Sequence, residues 1–408
     1  MVRAGWHVSK TDLYSNLKDV CKNGGQAAQV YMSSNQRWAQ GAALTDKEVS
    51  DLQELCCETG LYLVCHGKLL LNLCHDEISG PRVMPALISD MQAAARIGAD
   101  VVIHQGKNLA SLELSREEAL TRFVLNVQSA IDSTPELNNR ILLENSCQQG
   151  TELGYSLKEL TTIWRLLEPE YRTRVGFCLD TCHAHVGGMM DIADPDSVEE
   201  VFAEFDNTIG LEHLHVIHFN DSEVRFDGHN DSHANILLGY GGNPGLKGNS
   251  DGLRKVVEIA HEHDIPLILE TPGSGSADNA IPIQAQLQLI LGWAAGGTEA
   301  ETAEKEYLTT YREPISSFAS NPRSKKGRKK KVPALNPRLS THLGGVPPTK
   351  MITPIIVPKV TIPRVNVPVP IPTIVPKVTV PKANVPVPIC IPIIVPRVNV
   401  PAPVFPPK

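Results

Sequence analysis

Along roughly the first 300 residues, short runs of aliphatic and aromatic side chains stop abruptly at polar ones. The runs are Val2–Val8, Ala27–Ser33, Leu61–His66, Asp100–His104, Arg140–Glu144, Arg174–Asp180, His213–His218 and Pro266–Glu270. Each has the length and the β-rich content of a strand. Helix-length stretches separate most of them. Leu44–Thr59 carries Thr45 in a capping position followed by acidic residues, and Ser115–Ser133 carries Ser115 as N-cap with Glu117 and Glu118 in its first turn. A hydroxyl there accepts from a backbone N–H that the helix leaves unpaired, and early carboxylates suit the helix dipole. Eight strands alternating with helices predict a (β/α)8 TIM barrel, an α/β fold. A doubly wound open sheet shares that alternation. The barrel is preferred because the polar residues fall at the strand ends, which a barrel gathers on one face.

After Tyr311 the character changes. Residues 322–332 read PRSKKGRKKKV, and 20 of the chain's 31 prolines lie between Val332 and Lys408. An 18-residue repeat runs through this stretch: Val357-Pro-Lys-Val-Thr returns from Val375, and Asn366-Val-Pro-Val-Pro-Ile returns from Asn384. Proline at that density removes ladder donors and blocks helix, so a polyproline-II-rich, disordered arm is expected. The expected organisation is a barrel domain over 1–300, a linker with a basic cluster over 301–331, and a Pro/Val/Ile-rich tail over 332–408.

Charge divides the chain in the same place. Residues 323–408 hold 15 Lys and Arg and no acidic residue, which leaves 23 basic against 45 acidic over 1–322, a net of −22. The acidic body does not favour nucleic acid by itself, although bound divalent metals would offset part of that charge. The basic arm could contact a DNA backbone or an unidentified protein. Its cluster Lys325-Lys326-Gly-Arg328-Lys-Lys-Lys331 reads equally as a nuclear import signal, a phosphate-binding patch or a solubilising linker. The nine cysteines are odd in number and none has CxxC spacing, which argues against a disulfide framework or thiolate zinc finger. A reducing, intracellular compartment is expected. Met1–Lys10 has no apolar core, so no signal peptide is expected, and the absence of an 18-residue apolar run predicts no membrane span.

The strand ends carry the chemistry. His66 ends the third run, His104 the fourth, Glu144 the fifth and Asp180 the sixth, with His183 just beyond. His218 ends the seventh, Asp231 and His233 follow in its loop, and Glu270 ends the eighth. A barrel would converge these nine imidazoles and carboxylates on one pocket, a donor set that suits zinc with carboxylates bridging ions. Taken singly, a strand histidine is more often a satisfied core residue and a strand-end acid a helix cap. That bland reading weakens when it must hold on six consecutive strands.

These residues resemble the endonuclease IV family of zinc-dependent abasic-site endonucleases. The matching segments are Gly5-Trp-His-Val-Ser9, Asn35-Gln-Arg-Trp38, His66-Gly-Lys-Leu-Leu-Leu-Asn72, Leu143-Glu-Asn145, Gly176-Phe-Cys-Leu-Asp-Thr-Cys-His-Ala184, His218-Phe-Asn-Asp221, Asp231-Ser-His233 and Leu267-Ile-Leu-Glu-Thr271. They span about residues 1–295. The resemblance implies three zinc ions: one on His66, His104 and Glu144; one on Glu144, Asp180, His218 and Glu270; one on His183, Asp231 and His233. It also implies that Arg37 and Leu70 fill the gap left by a flipped-out abasic nucleotide, with Leu69 standing where the family usually has an aromatic wedge. Two segments depart from the family pattern, His104-Gln-Gly-Lys-Asn108 and the loop Ala234-Asn-Ile-Leu-Leu-Gly-Tyr-Gly241.

The implied reaction is hydrolysis of the phosphodiester 5′ to an abasic site in duplex DNA, leaving a 3′-OH. Zinc would activate the water, and Glu270 or Glu144 would orient or deprotonate it. A monomer is expected. Two rivals stay open: a metal-dependent sugar isomerase or epimerase on the same barrel, and a non-catalytic protein whose working part is the tail.

Overall fold

In a strand, successive side chains face opposite sides, so apolar runs of five or six residues must bury both faces. The chain meets that demand by closing a sheet on itself. Seven strands come first: β1 (Ala4–Val8), β2 (Ala27–Tyr31), β3 (Tyr62–His66), β4 (Asp100–His104), β5 (Ile141–Glu144), β6 (Val175–Asp180) and β7 (Leu214–His218). A small antiparallel pair follows, β8 (Asp221–Ser222) with β9 (His233–Ala234), and then β10 (Leu267–Leu269). The order β1-β10-β7-β6-β5-β4-β3-β2 is closed, and every neighbouring pair is parallel. This is a TIM barrel, and the closure of β1 onto both β2 and β10 excludes the open sheet. The structure, a computed structural model, describes residues 2–38, 43–242, 249–272 and 281–312, so the basic cluster and the Pro/Val tail lie outside the described residues.

Two apolar layers hold the barrel. Ala27, Val64, Val102, Leu142, Cys178, Val216 and Ile268 pack together in the interior. Their neighbours in sequence, such as Leu63, Ile103, Leu143 and Phe177, belong to a larger core that also takes residues of the surrounding helices. Gly5 marks the tightest point of the closure. A Cβ there would lie 1.6 Å from the Ala27 carbonyl oxygen, a contact only glycine avoids.

The helices are α1 (Leu13–Lys22), α2 (Asp46–Thr59), α3 (Val83–Arg96), α4 (Arg116–Asp132), α5 (Leu157–Leu166), α6 (Thr181–Val186), α7 (Pro195–Thr208), α8 (Asp251–Glu262), α9 (Ile283–Ala295) and α10 (Gly297–Tyr307). Thr45 and Ser115 each complete a capping box, with Glu48 and Glu118 reaching back to the cap N–H. The barrel unit runs past the expected boundary at residue 300, which falls inside α10. That helix is mostly polar and buries only Ala300 and Tyr307, so its sequence reads as linker. It is held by Trp293 Nε1 donating to Glu304 (3.0 Å) and Tyr307 Oη donating to the Ile236 carbonyl (3.0 Å). The eight cysteines among the described residues are all unbridged, and no helix among those residues is long and apolar enough to cross a membrane.

Gly5→Ala is expected to cost about 3 kcal/mol, because a backbone oxygen cannot move aside as a side chain can. Ser115→Ala, which removes one cap, should cost about 1 kcal/mol. Urea unfolding of the two variants checks this ranking, and equal losses would show that the β1–β2 approach relaxes.

Candidate metal centre

The polar residues at the barrel mouth follow from the interior layer by counting two. Ala27 is followed by Gln29, Val64 by His66, Val102 by His104 and Leu142 by Glu144. Cys178 is followed by Asp180, Val216 by His218 and Ile268 by Glu270. Residues two apart share a face, so the apolar plug places each of these side chains one level higher inside the same barrel.

Asp180, His183, Asp231 and His233 need local devices as well. Asp180 is the N-cap of α6: its Oδ1 accepts from the His183 N–H (2.8 Å), which folds His183 back beside it. Asn145 clasps the same residue, accepting from the Asp180 N–H (2.7 Å) and donating to its carbonyl (3.1 Å). Asn220 donates to Asp180 Oδ2 (2.8 Å). The β8–β9 pair sets Ser222 opposite His233 and so returns the Asp231–His233 segment over the barrel mouth. Beneath it, the buried Asp221 carboxylate accepts from the N–H groups of Ser222 (2.7 Å), Gly239 (3.0 Å), Gly241 (2.8 Å) and Gly242 (3.2 Å). Burial outweighs those bonds and pushes its pKa up to about 6.

The nine strand-end residues fall into three groups whose nitrogen and oxygen atoms lie within 4.8 Å of one another: His66, His104 and Glu144; Glu144, Asp180, His218 and Glu270; and His183, Asp231 and His233. Glu144 belongs to two of them, one oxygen to each. Its Oε2 lies 3.3 Å from His66 Nε2 and 3.5 Å from His104 Nε2, and its Oε1 lies 3.0 Å from His218 Nδ1. Glu270 Oε2 is 3.2 Å from the same His218 nitrogen. In the third group, Asp231 lies 3.3 Å from His183 Nε2 and 3.3 Å from His233 Nε2.

The far ring nitrogen of four of the histidines is already committed. His66 Nδ1 donates to the Gly67 carbonyl (2.8 Å), His183 Nδ1 to the Asn145 carbonyl (3.0 Å), His218 Nε2 to Gln29 Oε1 (2.8 Å) and His233 Nδ1 to the Glu270 carbonyl (3.4 Å). Each bond fixes the tautomer, so that the other nitrogen faces the cluster with its lone pair free once it is deprotonated. Gln29, wholly buried, also donates to Glu270 Oε1 (2.5 Å) and to His7 Nδ1 (3.1 Å).

Charge in the cluster is balanced internally. Burial opposes charge throughout. Even so, His183 stays well above the usual histidine range beside Asp180, Asp231 and Glu144, and His218 does so beside Glu270 and Glu144. His233 is raised to about 9 by Asp180 and Asp231 in spite of its burial. Asp231 and Glu270 are held low by their histidines against the same burial, and His104 is lowered by it. Two buried atoms, Glu144 Oε2 and His233 Nε2, have no hydrogen-bond partner among the described residues. Orphaned polar atoms facing other nitrogen and oxygen groups, with their outer shell already built, fit a divalent metal. Cys178 also groups with Glu144 and His218, and Cys182 with Asp180 and His233, and burial pushes both thiols up to about 12.

The cluster floors a cavity of about 550 Å³, whose walls include Trp6, Tyr31, Leu69 and Ile283. Asp180 and His218 sit wholly buried below its surface. Of the two residues expected to contact DNA, Arg37 is exposed on the segment after β2, while Leu70 is half-buried and outside the cavity wall. Leu69 lines the wall instead and is 43 % exposed. The sequence reading gave no role to Gln29, His7 or Tyr31. Gln29 carried a usable signal, a lone amide inside the apolar run Ala27–Tyr31.

With this geometry, comparison with known proteins is informative. Residues 17–247 match the family model described as xylose isomerase-like TIM barrel. A protein of Acanthamoeba polyphaga mimivirus that carries the name endonuclease 4 is 33% identical over 276 residues, covering 66% of this chain and 85% of the relative. A Haloarcula marismortui protein of the same name is 30% identical over 279 residues, covering 67% and 93%. The crystal structure of endonuclease IV from Thermus thermophilus superposes with a TM-score of 0.59 at 25% identity, covering 72% of this chain and 99% of that one. With such relatives covered almost end to end, the chain belongs to the endonuclease IV family, nucleases built on the xylose isomerase-like barrel.

Proposed function

We propose that the protein is a DNA-repair endonuclease that cuts the phosphodiester 5′ to abasic sites in duplex DNA, leaving a 3′-OH, with about three zinc ions held by the nine strand-end residues. The carrying observation is the trio of nitrogen and oxygen groups, joined through Glu144, at the floor of one cavity. Zinc bound there would supply a water nucleophile at neutral pH and positive charge for the phosphate. The chain's own residues do the rest. Gln29, Asn145 and Asn220 hold His218, His183, Asp180 and Glu270 in place before any substrate arrives. Glu270 and Glu144 border the cavity as ionised carboxylates and are placed to orient a water or take its proton. A cavity of about 550 Å³ suits an extruded sugar and phosphate. Extrusion costs least where no base pair has to break. Arg37, exposed on the segment after β2, and Leu69, on the cavity wall, would occupy the gap.

A sugar isomerase on this barrel needs one or two metals, and the third group, His183 with Asp231 and His233, exceeds that requirement. The direct test is incubation with duplex carrying a single abasic analogue, without added magnesium, followed by mapping of the cut. Intact product, or a cut elsewhere, would sink the proposal.

Elemental analysis of purified protein is expected to find about three zinc ions per chain, at roughly three protein ligands per metal. Asp180→Ala should lower that content and reduce turnover at least a hundredfold, or about 3 kcal/mol, while far-ultraviolet circular dichroism stays native. Near-normal turnover would remove Asp180 from the ligand set.

Zinc affinity should rise with pH. Histidine binds metal only when unprotonated, and His233 keeps its proton up to about pH 9 in the metal-free protein. Each proton displaced should therefore cost up to about tenfold in affinity per pH unit below that point. Chelator competition from pH 6.5 to 9.5 measures the slope, and a flat profile would contradict the His233–Asp231 pairing.

Deleting residues 323–408, which carry 15 basic side chains, should flatten the salt dependence of binding to intact duplex by several units of slope. Each phosphate contact contributes about −0.9 to that slope. Turnover at saturation should barely change, because the nine proposed ligands all lie between His66 and Glu270. Identical slopes with and without the arm would favour a targeting or assembly role for it.

A further inference from the structure

The segment after β2 and the segment after β3 leave the barrel side by side. Tyr31 and His66, the last residues of these strands, both line the metal cavity, and their rings lie 4.9 Å apart. Beneath the first segment is a cavity of about 150 Å³ bordered by Met32, Ser33, Leu44 and Asp90, so apolar packing alone does not hold it in place. Polar ties do. Lys68, only 3 % exposed, sends its ammonium to Ser33 Oγ and to the Ser34 carbonyl (3.3 Å). Ser33 Oγ in turn donates a hydrogen bond to Asp90 Oδ1 (3.2 Å), and Asp90 Oδ2 accepts from the Lys68 N–H (3.1 Å). The next residue, Leu69, donates its N–H to the Asn35 carbonyl (3.0 Å). Asp90 comes from α3 and is 5 % exposed.

Lysine is seldom buried, and sinking an ammonium and a carboxylate together costs free energy unless their bonds are filled. Here bonds come from the Ser33 hydroxyl and the Ser34 carbonyl of the segment that carries Arg37, and from the backbone N–H that leads into Leu69. We propose that Lys68 is a positioning residue which locks these two segments into one rigid unit, so that Arg37 and Leu69 are presented to the DNA gap at a fixed separation. The inference rests on the endonuclease reading above and names the device that readies its DNA-contacting rim. Preorganising both segments removes an ordering cost that binding would otherwise carry.

The test uses the full chain with Lys68→Met and, separately, Ser33→Ala, which breaks the relay while leaving both charges in place. Hydrogen exchange of the amides of residues 33–38 should quicken about tenfold or more in each variant. Binding to duplex with a single abasic analogue should weaken about tenfold, KM rising with it while kcat changes little and zinc content is unchanged. Adding Arg37→Ala to Lys68→Met should weaken binding by clearly less than the two single losses combined, because the Arg37 share of the Lys68 effect is then already gone. Unchanged exchange at 33–38, or affinity losses that simply add, would overturn the proposal. Zinc loss on Lys68→Met would overturn it too, by moving Lys68 into the metal site. A parent protein that does not prefer abasic over intact duplex counts against the endonuclease reading, and exchange at 33–38 still decides whether the tie exists.

Discussion

Two-residue alternation within a closed sheet is the constraint on which everything else rests. One interior layer from Ala27 to Ile268 is apolar, and the next layer, two residues further along each strand, is polar. The lower layer gives the barrel its cohesion. The upper layer gathers imidazoles and carboxylates that would be costly to bury if they stood alone. They are tolerated together because each meets a partner of opposite charge or a committed hydrogen bond, with His218 between Glu144 and Glu270 at 3.0 and 3.2 Å as the tightest case. Preorganisation is therefore a by-product of solvation: groups that cannot reach water must already be arranged around one another.

Much of this is legible in the amino-acid order. The strand runs end within one or two residues of the observed barrel strands, because a buried strand and its polar terminus leave the same mark from either side. The helix starts at Thr45 and Ser115 are equally plain, since a capping box is a local bond pattern that depends on nothing distant. What the order hides is of three kinds. Gln29 is a second layer of bonding behind the strand-end cluster, recognisable only once His218 and Glu270 are known to face it. Helix α10 lacks an apolar stripe and is held by Glu304 and Tyr307, whose partners lie on other elements. Leu69 and Leu70 are chemically identical, and only the turn after His66 decides which of them reaches the cavity wall.

The departures in the segment from His104 to Asn108 have a structural answer. Asn72 clasps that turn, accepting from the Lys107 N–H (3.1 Å) and donating to the Lys107 carbonyl (2.9 Å). Gly106, at φ +96°, leaves room for it, since a Cβ there would lie 2.3 Å from the Asn72 amide oxygen. Asn108 donates to the Leu114 carbonyl (2.9 Å) and so ties the turn to the start of the next helical segment. Gln105 is wholly buried with both amide atoms unpaired among the described residues, which is an unusual cost to carry directly beside His104. The turn that bears His104 is thus braced from its outer end and left unsatisfied at its inner one.

The two oxygens of Glu144 serve different neighbours, one facing His66 and His104 and the other His218. A single delocalised anion therefore enters the balance of two adjoining sites. Whatever draws electron density to one oxygen weakens the other as a donor, and whatever displaces a proton from His218 changes the field at His66. Protonation is then a joint property of the cluster, with macroscopic steps that belong to no single residue. The two halves of the barrel mouth are thus electrostatically one object, and a change of charge at either half is felt at the other.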